Sequence, residues 1–231
     1  MDKRESLNIK KPQQKSSTKP APSGGGSGKI SGLSNKTFGL IKFVLGICLL
    51  PFVYTSSQAF FKEFGLIGSS FQWAFFGGII SFLLIYLFVW EPLFIYDKGH
   101  KVLEAIFQFF KPLVNVAPNL LPIYTIVIFI LYSILSVFIR EEWLLQYCIF
   151  LAGFTLSLHL VFAAKSIRGK KDFLKANYIF GFSLIYILNI MIIAFCFSLI
   201  FRGFSFVNFS QDTYFLAKNI FVVVFRQLFS V

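Results

Sequence analysis

Residues 119–164 read NLLPIYTIVIFILYSILSVFIREEWLLQYCIFLAGFTLSLHLVFAA. Two long apolar runs are separated only by Arg140-Glu141-Glu142, and neither run contains Asp, Glu, Lys or Arg. At about 1.5 Å per residue, each is long enough as a helix to cross a hydrocarbon core of about 30 Å. A helix on the surface of a soluble core needs only one apolar stripe, whereas here the apolar residues run all the way round. The connection is short enough to force the second helix back antiparallel to the first. The stretch predicts a membrane-spanning hairpin.

The same pattern recurs on either side of it. Spans are expected at 38–60, 67–90, 119–139, 143–164 and 176–201. The 231 residues are 56% hydrophobic and 14% charged, with a mean hydropathy of +0.73, where a soluble domain carries about a quarter charged residues. The expected fold class is therefore all-α: a polytopic transmembrane bundle of about five spanning helices, with interfacial helices in addition. Pro51 predicts a kink in the first span. Trp73, Trp90 and Trp143 fall towards segment ends, where amphipathic rings prefer the headgroup level.

The net charge of +12 has the magnitude of a nucleic-acid binder, but its placement excludes that class. Eight of the 22 Lys and Arg lie in residues 1–36 and five in 165–175, beside expected spans. Such clusters set orientation and attract anionic headgroups. With the N-terminus in the cytoplasm, the tail and the loops 91–117 and 165–175 carry sixteen cationic residues, against Lys62 and Arg140 in the opposite loops. The partner implied by this charge is the lipid bilayer. Cys48, Cys148 and Cys196 all sit in apolar runs, unpaired in spacing, and read as small packing residues.

The ends of the chain differ from its middle. Residues 1–37 are rich in Lys, Ser, Pro and Gly, bury too little to offset ordering entropy, and are expected to be a disordered cytoplasmic tail. GGGSG at 24–28 is linker composition and carries no phosphate-binding pattern. The segment 202–231 has an unbroken apolar run only from Ile220 to Phe225, flanked by Lys218 and Arg226, and is expected to lie at the interface.

Between the second and third spans stands YDKGHKVLEAIFQFFKP (96–112), the one polar cluster inside the apolar region. Pro92 and Pro112 bracket an amphipathic helix over 93–111. Asp97, Lys101, Glu104, Gln108 and Lys111 recur every three or four residues and give it a polar stripe. The same spacing places His100 and Glu104 at i and i+4, on one face, where both could hold a metal ion. A His and a carboxylate suit zinc, which needs at least one further ligand; Asp172, in the other cytoplasmic loop, is the candidate third. His159 lies inside the fourth span and reads either as a hydrogen-bonded packing residue or as a functional group. Asn189, in the fifth, reads as a hydrogen-bonding link between helices.

Tyr96-Asp97-Lys98-Gly99-His100-Lys101-Val102-Leu103-Glu104-Ala105-Ile106-Phe107 resembles the His-Glu-x-x-His run of the bacterial site-2-protease-like family of intramembrane zinc metallopeptidases. Ala117-Pro118, Leu121-Pro122-Ile123-Tyr124-Thr125, Leu158-His159-Leu160-Val161-Phe162 and Asp172 are similar, in order, to later segments of that family. The resemblance covers roughly residues 40–201. It implies a bacterial inner-membrane protein with zinc held by His100, Glu104 and Asp172.

The departures bear on chemistry. The family's motif needs two His as ligands and a Glu directly after the first as general base. Here Lys101 occupies the base position and Glu104 that of the second His. An ordinary ammonium beside a divalent cation does not accept a proton near neutrality. The expectation is a protease-like scaffold without peptidase activity that binds a membrane partner or client. Two alternatives stand beside it: an atypical zinc peptidase, and a small transport or assembly subunit in which His159 lines a path.

Overall fold

The computed structural model describes residues 27–89, 93–108, 117–139, 141–169 and 178–229. The chain divides into two units, residues 1–36 and 37–231. In the first, residues 27–36 are helical, inside the tail expected to be disordered; everything below concerns the second.

All regular structure among the described residues is helical. The elements are α1 (Ser27–Phe64), α2 (Ser69–Leu84) with a π-helical continuation at Ile85–Val89, α3 (Leu93–Ile106), α4 (Ala117–Leu120), α5 (Ile123–Phe138), α6 (Glu142–Gly169), α7 (Tyr178–Ile200) and α8 (Phe206–Phe229). Four stretches are long and apolar enough to cross a membrane: Gly39–Phe64, Ser69–Phe88, Glu142–Ile167 and Tyr178–Ile200. They take up four of the five expected spans. The protein is a helical membrane bundle.

The expected span at 119–139 departs from the others. Helix α5 has 16 residues, about 24 Å of rise, and Leu121-Pro122 separates it from α4. Pro122 has no N–H to offer the ladder. Its backbone, at φ −80° and ψ 75°, forms an inverse γ-turn in which the Ile123 N–H donates to the Leu121 carbonyl at 3.0 Å. The carbonyls of Asn119 and Leu120 therefore fall outside the helical ladder and must find donors elsewhere.

Among the described glycines, Gly78 and Gly153 have the nearest opposing backbone, and they bring α2 and α6 together. A Cβ added at Gly78 would lie 1.9 Å from the Phe150 carbonyl oxygen, and one at Gly153 would lie 2.3 Å from that of Phe75. Each glycine faces the other helix's backbone. Lipid tails are as apolar as Phe, so helices in a bilayer gain from close van der Waals contact rather than from leaving water. Two glycines opposed in this way allow that contact.

Beside them the bundle is filled by rings. Phe64 stacks on Phe60 and Phe197, with centroids 5.5 and 5.7 Å apart, and Phe75 meets Phe197 edge-on at 5.6 Å. Phe204 and Phe209 close this cluster, and a smaller one at the opposite end holds Phe82, Tyr96, Leu158 and Phe162.

Helix α8 is fixed to α1 by polar contacts at its start. Buried Glu63 accepts the Ser205 N–H at 2.9 Å, while the Ser205 hydroxyl accepts the Asn208 N–H at 3.2 Å. In a capping box the carboxylate comes from the third residue of the same helix; here α1 supplies it. Lys62 Nζ lies 2.6 Å from Asp212 Oδ2. Further along, the rings of Phe52 and Phe221 are 5.8 Å apart. From Phe52 to Lys62 is about 15 Å of helix, and from Asp212 to Phe221 about 14 Å. Over this length α8 runs antiparallel beside α1.

Candidate functional site

Helix α3 has three faces. Tyr96, Gly99 and Leu103 are buried; Asp97 and Lys101 are exposed along the polar stripe, and Gln108 in the turn that follows the helix; Ile95, Val102 and Ile106 form an exposed apolar side. Lys98 extends its ammonium over the Phe94 ring, 4.3 Å from the centroid. This is the pattern of a helix lying on its side at an interface.

The buried face of α3 is seated on α5 and α6. Gly99 has no room for a larger residue, since a Cβ there would meet the Tyr124 ring at 2.6 Å and Ile123 at 2.9 Å. The Tyr124 hydroxyl donates to the Ile95 carbonyl of α3. Tyr96 reaches α6, with its ring 5.4 Å from that of Phe162 and 6.1 Å from that of His159. Burial pushes the Tyr96 phenol above its ordinary range, and the neighbouring Asp97 carboxylate adds to the effect.

Between α3 and α6 opens a cleft of about 230 Å³, lined by Leu93, Tyr96, Asp97 and His100 on one side and Phe162, Lys165 and Ser166 on the other. His100 sits where the buried face meets the polar stripe. Its Nε2 is 3.4 Å from Glu104 Oε1, so the two residues singled out by spacing do meet. Glu104 is half exposed, and such an i, i+4 contact is worth at most about 0.5 kcal/mol. Lys101 is exposed, on the polar stripe.

These residues do not make up a zinc site by themselves. Among the described residues no three His, Cys, Asp or Glu side chains converge, and a catalytic zinc needs three protein ligands. The third expected ligand, Asp172, lies outside the described residues.

The structure instead draws together residues that spacing kept apart. His159 is buried, 5% exposed, and hydrogen-bonds the Asn119 backbone, which leaves its Nε2 buried without a partner. Tyr96, between the two imidazoles, has its centroid 5.9 Å from that of His100, and its hydroxyl points to Asn119 Oδ1 at 3.5 Å, the outer limit of a hydrogen bond. Asn189, fully buried on α7, donates to the Leu120 carbonyl at 3.1 Å and to the Ile185 carbonyl at 2.8 Å. The two carbonyls released by the Pro122 turn are thus taken by side chains of α6 and α7. Thr125 and Thr155 share a hydrogen bond at 3.0 Å close by.

Sequence reasoning picked out His100, Glu104, His159 and Asn189 but missed Asn119 and the broken helix they serve. The signal was Pro118 and Pro122 flanking Asn119 at the head of an apolar run. The chain matches no protein-family model, no curated protein and no solved structure.

Proposed function

We propose that this protein is a non-proteolytic relative of the intramembrane metallopeptidase scaffold, holding a membrane client or partner at the cleft between α3 and α6. The observation that carries the proposal is the contact of His100 with Glu104 at 3.4 Å, directly beside Lys101. In a peptidase these positions would present two imidazoles to the metal and a carboxylate to its water. Here they present one imidazole leaning on a carboxylate, and an ammonium where the base belongs. The cation bias of the loops supports a cytoplasmic N-terminus, which puts the cleft on the cytoplasmic side; the bacterial inner membrane is what the resemblance implies. Tyr96 and Phe162 give it an apolar floor, and Asp97 and Lys165 a polar rim, suited to the end of a membrane helix as it leaves the bilayer.

The experiment measures zinc per chain in detergent, for the native protein and for His100→Ala, together with cleavage of a transmembrane substrate. The proposal expects no cleavage by the native chain. Cleavage that disappears with His100→Ala overturns it in favour of an atypical zinc peptidase. The double variant Lys101→Glu, Glu104→His is the positive arm: gain of zinc binding or cleavage supports the scaffold relationship, and absence of metal in that variant refutes the ligand set with Asp172.

A second reading has its own observation, the buried and unpartnered Nε2 of His159 beneath Tyr96. A transport subunit would use such a group along a solute path. Solute flux in vesicles that is lost with His159→Ala would displace the first reading.

A further inference from the structure

Helix α8 carries Asp212 and Thr213 towards the bundle and a second set of polar residues on the side turned away from it. Phe209 and Ala217 are buried, with Phe206, Thr213 and Ile220 half-buried around them. On the opposite side Asn208, Gln211, Lys218 and Asn219 are all exposed, on one helical face that they share with the exposed Phe215 and Val222. On a helix lying at the interface this face would meet water, as the charges alone suggest. The contacts place α8 differently. The Phe52–Phe221 contact pairs α8 with the middle of the membrane-spanning stretch Gly39–Phe64. Lys218 is then one turn from mid-depth, too deep for its stem to carry the ammonium to the headgroups.

We infer that α8 crosses the membrane antiparallel to α1 and that its outward face is a docking surface within the bilayer for a transmembrane helix of another protein bearing a carboxylate. No ion pair to Lys218 occurs among the described residues, whereas Lys62, at the end of α1, is paired with Asp212. The complement for a lone ammonium in hydrocarbon is a carboxylate at the same depth, and amide side chains beside it add hydrogen bonds between helices. A second copy of this chain does not supply that complement. Copies with the same topology hold α8 parallel and at equal depth, so Lys218 would face Lys218.

Two measurements test this on the full-length protein, with its three native cysteines replaced by alanine. In vesicles, a membrane-impermeant maleimide should label Leu228→Cys and Arg202→Cys from opposite faces; labelling from the same face overturns the crossing. Polyleucine transmembrane peptides carrying one central Asp, Asn, Lys or no polar residue are then reconstituted with the labelled protein, and association is read by energy transfer. The Asp peptide should bind about tenfold more tightly than plain polyleucine, the scale of one strong polar contact between membrane helices. Lys218→Leu should abolish that difference, and Lys218→Glu should transfer the preference to the Lys peptide. An Asp peptide that binds no better than polyleucine, or self-crosslinking of Asn219→Cys into a dimer, overturns the docking surface. Neither outcome bears on the cleft.

Discussion

Gly78→Ala tests how this bundle is held together. The added methyl would start 1.9 Å from the Phe150 carbonyl oxygen and 2.9 Å from the Phe154 nitrogen. Ordinary carbon–oxygen contact is about 3.4 Å, so α2 and α6 must separate by more than an ångström. A backbone atom cannot turn aside as a side chain can, and overpacking of this kind costs about 1–3 kcal/mol. Gly153→Ala meets the same wall from the other helix, at 2.3 Å from Phe75 oxygen. Because either methyl opens the same interface, the second fits into space the first has made. The double variant should therefore lose less stability than the two single losses added together, by about 0.5–3 kcal/mol. Gly39→Ala is the control, since nothing lies within 4 Å of its added Cβ. The assay is equilibrium unfolding in mixed micelles with increasing denaturing detergent. Full additivity, or a Gly78→Ala variant within about 0.5 kcal/mol of the native chain, the range of an inert surface change, refutes the reasoning.

Other predictions concern single contacts. His159→Ala and Asn189→Ala each strip a donor from a carbonyl outside the helical ladder and should cost about 1–2 kcal/mol, the upper end for polar contacts between membrane helices; the same unfolding assay checks this, and losses below about 0.5 kcal/mol would count against the account of the break. Glu63→Ala should loosen α8 and quicken proteolysis of the C-terminal segment, whereas Lys62→Ala, whose ion pair is exposed, should change stability by less than about 1 kcal/mol. Tyr96 is held protonated in the folded state, so stability should be intact below the ordinary phenol range near pH 10 and fall as pH rises through it; Tyr96→Phe should flatten that alkaline limb in a pH series of melting curves.

How legible the molecule was depended on the kind of signal. The runs at 38–60, 67–90, 143–164 and 176–201 were plain because length and unbroken apolarity are local properties, and they reappear as the four long helices. The amphipathic helix was equally local: the i, i+4 spacing of His100 and Glu104 anticipated a contact measured at 3.4 Å. What could not be read is what depends on distant partners. Asn119 is an unremarkable polar residue until His159 and Asn189 arrive at neighbouring carbonyls from other helices. Gly78 and Gly153 look like any small residues in an apolar run, since their meaning lies in the opposing backbone. That α8 lies beside α1 could not be read from its own residues, because those that pair with its start, Lys62 and Glu63, sit 142 or more positions earlier in the chain.

The broken helix bears on how this protein is made. The Leu120 carbonyl leaves the ribosome 69 residues ahead of the asparagine that will satisfy it. At about 5–20 residues per second, that interval lasts on the order of 3–14 s. Through those seconds a short, interrupted segment cannot rest in lipid with bare carbonyls, so it must wait within the insertion machinery until the later helices emerge. The nascent chain thus needs a holding step at its midpoint, and slowing synthesis between α5 and α7 should lower the yield of inserted protein.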